Sequence, residues 1–150
     1  MKIYVASSWR NDRQPGVVAD LRMHGYEVYD FRNPHPGNHG FHWSEIDPEW
    51  KEWTPERYRE CPNHPLAMDG FACDMNALRE SDVVVAVQPF GRSTALELGW
   101  AAGSGKITLL LLADGEPELM VKMCDAICVN LDEVRECIER DCPDADSPRD

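Results

Sequence analysis

The chain has 150 residues, 27 acidic against 15 basic side chains, and a formal charge of −12. That length suits one domain with a substantial core, and the charge excludes a nucleic-acid backbone or an anionic membrane as main partner, because both need a basic face. With 43% hydrophobic and 9% aromatic residues the composition is that of a globular domain, not a disordered chain.

The N-terminus enters a strand at once: Ile3, Tyr4 and Val5 are good strand formers and nothing before them has the layout of a secretory signal. The six cysteines, at 61, 73, 124, 128, 137 and 142, contain no CxxC pair. Reduced thiols in a cytoplasmic protein are therefore expected, with no structural zinc. A helix follows, started by Pro15, carrying Val17, Val18 and Leu21 on one face and stopped by Gly25. Residues 26–31 read as the second strand.

Residues 33–65 lack a clean period. They hold three of the five tryptophans and four of the five histidines. So long a connection within a domain suggests a lid, and its aromatic content argues for order. His35, His39 and His42 have a spacing that suits a metal only on a helix, which Pro34, Pro36, Gly37 and Gly40 prevent. The lid residues Phe41, Trp43, Trp50 and Trp53 either cover a ligand or form a small core of their own. Thr54-Pro55-Glu56 reads as the start of a short helix.

From Pro65 a longer helix is expected, with Ala67, Phe71, Met75 and Leu78 on its apolar face and Asp74 turned away from them. Residues 83–87 are an unbroken apolar run, the mark of a central parallel strand covered on both faces. A loop at 88–92 leads into a helix starting at Ser93 or Thr94 and ending before Gly103 and Gly105. Strands at 106–112 and 126–130, a short helix at 117–123 and a last helix at 131–140 complete the pattern. The longest apolar run, 107–113, is too short to span a membrane. Alternating strands and helices predict an α/β fold: a doubly wound, flavodoxin-like or Rossmann-like parallel sheet of five strands. The predicted division is one domain over 1–140, with the lid at about 33–65, and an acidic flexible tail at 141–150.

In such sheets ligands bind beyond the carboxyl ends of the strands. That places residues 6–10, the lid and residues 88–97 around one cleft. Glu97 then has two readings. With Thr94 it forms the Thr-x-x-Glu pattern of a capping box, or it is an ionised carboxylate at the cleft, able to act as a nucleophile. Asp74 alone is a helix carboxylate, and Tyr4 a core residue. Trp9, beside Ser7 and Ser8, is free to stack on a flat ring.

Taken in order, four stretches resemble the nucleoside 2-deoxyribosyltransferase family, including related nucleoside 5′-monophosphate N-glycosidases. They are Ile3-Tyr4-Val5-Ala6-Ser7-Ser8-Trp9, then Phe71-Ala72-Cys73-Asp74-Met75-Asn76-Ala77-Leu78, then Ser81-Asp82-Val83-Val84-Val85-Ala86-Val87, and finally Glu97-Leu98-Gly99-Trp100-Ala101-Ala102-Gly103-Ser104-Gly105-Lys106. The resemblance covers about residues 1–130. It implies that Glu97 attacks the anomeric carbon of a (deoxy)ribosyl group, that Asp74 handles the proton of the leaving or entering base, and that Tyr4 holds Glu97. It further implies that Ser7, Trp9, Gly91, Arg92 and Ser93 bind substrate, that no cofactor is used, and that the chain forms a homodimer or higher homo-oligomer, completing its site near residues 120–125. The family often has an acidic residue in the loop before the nucleophile helix. Here that loop is Pro89-Phe90-Gly91-Arg92-Ser93, which suits an anion such as a 5′-phosphate. The alternatives are a non-catalytic module binding a nucleotide-like ligand, or an enzyme cleaving NAD.

Overall fold

The structure, a computed structural model, describes residues 1–141. Five parallel strands form one sheet: β1 (Lys2–Ala6), β2 (Glu27–Asp30), β3 (Val83–Val87), β4 (Ile107–Leu111) and β5 (Ala126–Cys128), in the order β2-β1-β3-β4-β5. This is the flavodoxin-like order, whose switch point lies between β1 and β3. The helices are α1 (Gln14–Met23), α2 (Pro55–Glu60), α3 (Pro65–Glu80), α4 (Arg92–Gly103) and α5 (Leu131–Asp141). The expected helix at 117–123 is a 3-10 turn, Leu119–Met123. From Cys142 onward, the expected tail lies outside the described residues. Among the described residues no helix is long and apolar enough to cross a membrane.

The alternation of side chains along each strand divides the core in two. Ile3, Val5, Val83, Val85 and Val87 pack with Val17, Val18 and Leu21 of α1 and with Val134 and Ile138 of α5. On the opposite face Tyr4, Ala6, Val84 and Ala86 pack with Leu78 of α3 and with Leu98 and Ala101 of α4. Every residue of β3 is buried, as a strand covered on both faces requires. The side chain of Tyr4 therefore enters the layer between the sheet and the helices α3 and α4.

The loops at the carboxyl edge are tied to one another. Ser7 Oγ donates to the Val87 carbonyl at 2.8 Å, and Asn11 Nδ2 donates to the same oxygen at 3.0 Å. Arg13 Nη1 reaches the Gln88 and Leu112 carbonyls, and Arg32 Nη2 the carbonyls of Ser8, Trp9 and Asn11.

The lid is a compact excursion of short turns. Phe41 and Trp43 meet edge to face at 4.8 Å, as do Trp43 and Trp53 at 5.6 Å. Trp53 Nε1 donates to Asp47 Oδ2 at 2.6 Å. Phe41, Trp43 and Trp53 thus form one aromatic cluster, and Phe41 also lines the cleft between the lid and α3. Two glycines seat this cluster on the domain. A Cβ on Gly40 (φ +79°) would lie 2.4 Å from the Phe31 carbonyl oxygen and 2.7 Å from the Trp9 ring, and one on Gly70 would lie 2.8 Å from Phe41 Cβ. Only glycine has both the backbone freedom and the clearance needed at position 40.

Candidate active site

The central group is four side chains on four elements. Tyr4 of β1 and Tyr29 of β2 are register partners, and their rings stack with centroids 5.1 Å apart at 18°. The Tyr4 hydroxyl donates to Glu97 Oε1 at 3.1 Å. The Tyr29 hydroxyl donates to Asp74 Oδ1 at 2.7 Å and lies 3.4 Å from Cys73 Sγ. Two carboxylates, one from α3 and one from α4, are thus each held through one oxygen by a stacked tyrosine pair.

The local sequence explains both placements, and both differ from expectation. The helix α4 begins at Arg92, with Gly91 as its N-cap residue. Glu97 is therefore its sixth residue, in the second turn, out of reach of a capping interaction. Thr94 is buried in the first turn. The capping-box reading fails because the helix starts earlier than its Ser-Thr pair suggests. On α3, Ala67 and Leu78 are buried as expected, but Phe71 is 67% exposed. Asp74, seven residues after Ala67 and four before Leu78, shares their face and turns inward, so the reading of Asp74 as a solvated helix carboxylate is overturned.

Burial controls the electrostatics. Loss of solvent raises the Glu97 carboxyl to about 7, against the lowering effect of the Tyr4 hydrogen bond; the charge of Asp74 raises it further. Burial also raises the Asp74 carboxyl, opposed by the hydrogen bond from Tyr29. Both tyrosines are pushed far above the ordinary range, first by burial. They remain protonated, so each is a permanent donor to its carboxylate.

Asp74 also lines a cleft of about 430 Å³ between the lid and the first half of α3, with Phe31, His35, Phe41, Glu45 and Asp69 among its walls. This volume is within the range of small-molecule sites. A second cleft, about 580 Å³, lies between α4 and residues 112–124. Ala95, Leu98 and Ala102 line it. At about 100° per residue Ala95 and Ala102 lie on the far side of α4 from Glu97.

The structure brings together Tyr4, Asp74 and Glu97. It places the five expected binding residues around them rather than with them. Ser7 is engaged with Val87 and Asn11. Trp9 packs edge to face on Phe31 at 5.2 Å and against the His42 ring at 4.1 Å. Gly91 and Arg92 line the second cleft, and Ser93 is exposed beside them in the first turn of α4. Tyr29 was not anticipated. Its signal is the match of two tyrosines at equivalent positions of neighbouring strands, visible only once the β1–β2 register is known. The lid histidines do not converge: Asn38 Nδ2 lies 3.1 Å from His35 Nε2, whereas His42 packs on Trp9. Among the described residues no group of three or more His, Cys, Asp or Glu side chains could hold a metal ion.

No family model matches the chain, and no curated protein matches it. Solved structures do. A 2-deoxyribosyltransferase from the psychrotolerant bacterium Bacillus psychrosaccharolyticus superimposes with a TM-score of 0.56 at 23% identity, over 89% of this chain and 90% of that one. The two share a fold. A CMP N-glycosidase from Clostridium botulinum aligns over 93% of this chain and 99% of that one, at 18% identity and a TM-score of 0.47. The fold shared with the deoxyribosyltransferase is the doubly wound α/β architecture that the alternating sequence pattern predicts.

Proposed function

We propose that this protein is an enzyme that cleaves the N-glycosidic bond of a nucleoside or nucleoside 5′-monophosphate, with Glu97 as nucleophile, and passes the glycosyl group to another base or to water. The observation that carries this reading is the pair of partly buried carboxylates, each held through one oxygen by its own tyrosine. A fold shared with a 2-deoxyribosyltransferase supports it.

The chemistry follows from that arrangement. Breaking the bond builds positive charge on the sugar, and a carboxylate beside it stabilises that charge and then bonds to it. Tyr4 occupies Oε1 of Glu97, which leaves Oε2 to attack C1′. As the C1′–N bond breaks, its electron pair leaves with the base, and Asp74 supplies the proton that the base nitrogen takes up. In the second half, the nitrogen of an incoming base or the oxygen of water attacks C1′, Glu97 leaves as carboxylate, and Asp74 recovers a proton from the acceptor. The two roles need opposite protonation states. Burial raises both carboxyls and the charge of Asp74 raises Glu97 further, which favours a single proton on the pair.

The cleft that Asp74 lines would receive the base, between Phe31 and Phe41. The first turn of α4 offers Ser93 to a 5′-substituent, where the positive end of the helix dipole favours an anion, and the long side chain of Arg92, which lines the second cleft, would reach that anion over the N-terminus of α4. Gly91 would let that substituent approach the backbone, with Ser7 and Trp9 supporting the loop opposite.

The test is release of free base from ribo- and deoxynucleosides and their 5′-monophosphates, with and without a second base, by wild type and Glu97→Ala. Release that needs Glu97 is expected. Exchange only with added base would specify a transferase, and release without it a hydrolase. A folded wild-type protein that releases no base from any member would refute the proposal and favour a binding module.

A further inference from the structure

We infer that Tyr29 is a positioning residue for the acid of the site: its hydroxyl holds Asp74 Oδ1, so that the exchangeable proton of Asp74 is carried on Oδ2. This rests on the reading of Asp74 as the proton donor in base release. The argument is one of hydrogen-bond inventory. A phenol has a single proton, and of the two acceptors beside the Tyr29 hydroxyl, Asp74 Oδ1 at 2.7 Å is nearer and can carry charge, whereas Cys73 Sγ lies at 3.4 Å; the proton goes to the carboxylate. Its hydroxyl does not ionise in the working range, because burial, the contact with Cys73 and the Asp74 carboxylate all oppose a phenolate. With that donor in place Asp74 Oδ1 stays the acceptor, and a proton taken up by Asp74 goes to the other oxygen.

The ring of Tyr29 has a separate duty. It stacks on Tyr4, whose hydroxyl orients Glu97. Removing the hydroxyl alone leaves the stack, and with it the nucleophile, in place. The hydroxyl's effect on Asp74 is thus separable from the ring's effect on packing. The groups that titrate around Asp74 are Tyr29 of β2, Tyr4 of β1, Glu97 of α4 and Cys73 on its own helix. His35, Glu45 and Asp69 share its cleft.

Tyr29→Phe removes the one hydrogen bond that favours the charged form of Asp74. A hydrogen bond to a charged group is worth about one pH unit or somewhat more. The titration midpoint of the Asp74 carboxyl, followed by NMR of protein with ¹³C-labelled aspartate and assigned with Asp74→Asn, is expected to rise by about one pH unit. The alkaline limb of kcat/KM is expected to rise with it, and kcat at the optimum to fall about tenfold with KM little changed. Ring-fluorinated tyrosine at position 29 keeps the ring and makes the hydroxyl a stronger donor, so it should move both readouts the opposite way. A merely structural role would not reverse sign between these variants.

An Asp74 midpoint unchanged in both variants, or moved in the same direction by both, would overturn the inference. The titration needs no turnover, so it tests Tyr29 even if the wild-type protein releases no base, which is the outcome that defeats the proposed function. Should Tyr29→Phe fail to fold, the fluorinated variant alone decides, through the downward shift.

Discussion

Replacing Glu97 by Gln should make the protein more stable at alkaline pH while removing its activity. The wild-type carboxyl is raised from the ordinary 4.5 to about 7 by burial. A group whose pKa is higher in the folded than in the unfolded chain costs stability as it ionises. Its contribution is intact below about pH 4.5, declines as the pH rises, and is fully lost above about 7. The difference of about 2.5 pH units corresponds to about 3 kcal/mol at 1.36 kcal/mol per unit. Gln cannot ionise and keeps a carbonyl oxygen for the Tyr4 hydroxyl, so it removes the cost without opening a cavity. Glu97→Gln should therefore match wild type at pH 4.5 and exceed it at pH 8.5 by up to about 3 kcal/mol, roughly 6 to 12 °C in Tm for a chain of this size. Denaturant unfolding at the two pH values, followed by tryptophan fluorescence, makes the measurement. A Gln variant less stable than wild type at pH 8.5, or a difference that does not depend on pH, would refute the reasoning and return Glu97 to a structural role.

Other substitutions test separate parts of the site. With Glu97 as nucleophile, kcat/KM for base release should rise with pH through about 7; a rate independent of pH between 5.5 and 8.5 would exclude ionised Glu97 as the reacting group. Tyr4→Phe removes the hydrogen bond that lowers Glu97, so this acid limb should move to higher pH and kcat should fall on the order of tenfold; an unmoved limb would count against their coupling. Arg92→Ala should raise KM for 5′-monophosphates and leave nucleosides unchanged, and equal effects on both would remove the phosphate from the first turn of α4. Gly40→Ala places a Cβ 2.4 Å from the Phe31 carbonyl at a positive φ. It should cost on the order of 2–4 kcal/mol and alter lid tryptophan fluorescence before global unfolding; wild-type stability would disprove the close approach.

The parts of this molecule that were legible in its sequence are those in which one residue type has one job. The apolar run of β3 and the valines of α1 could only be core. Where a residue can serve two purposes, sequence spacing misled. Ser93 and Thr94 look like a helix start, yet Gly91 caps α4 and Thr94 is buried, which moves Glu97 from the first turn to the second. Phe71 looks like core, yet it is 67% exposed, while Asp74 on the same face of α3 reaches the Tyr29 hydroxyl. The expected catalytic residues converge, since both carboxylates sit on long helices facing one layer. The expected binding residues were harder to read, because loops find their partners through tertiary hydrogen bonds, as Ser7 does with Val87. Tyr29 depends on a strand register that no local pattern encodes.

The seating of the lid has a consequence for how such a protein can vary. The excursion after β2 meets the rest of the molecule closely at two residues that lack a side chain, Gly40 against Trp9 and Gly70 against Phe41, and at His42, whose ring packs on Trp9. The turns around Trp43 and Trp53 are held by their own contacts, so that part is free to lengthen, shorten or change its aromatic filling as a cassette. The two glycines are not. Selection for a new substrate could rewrite one wall of the cleft wholesale while leaving the tyrosines and carboxylates on the sheet side untouched.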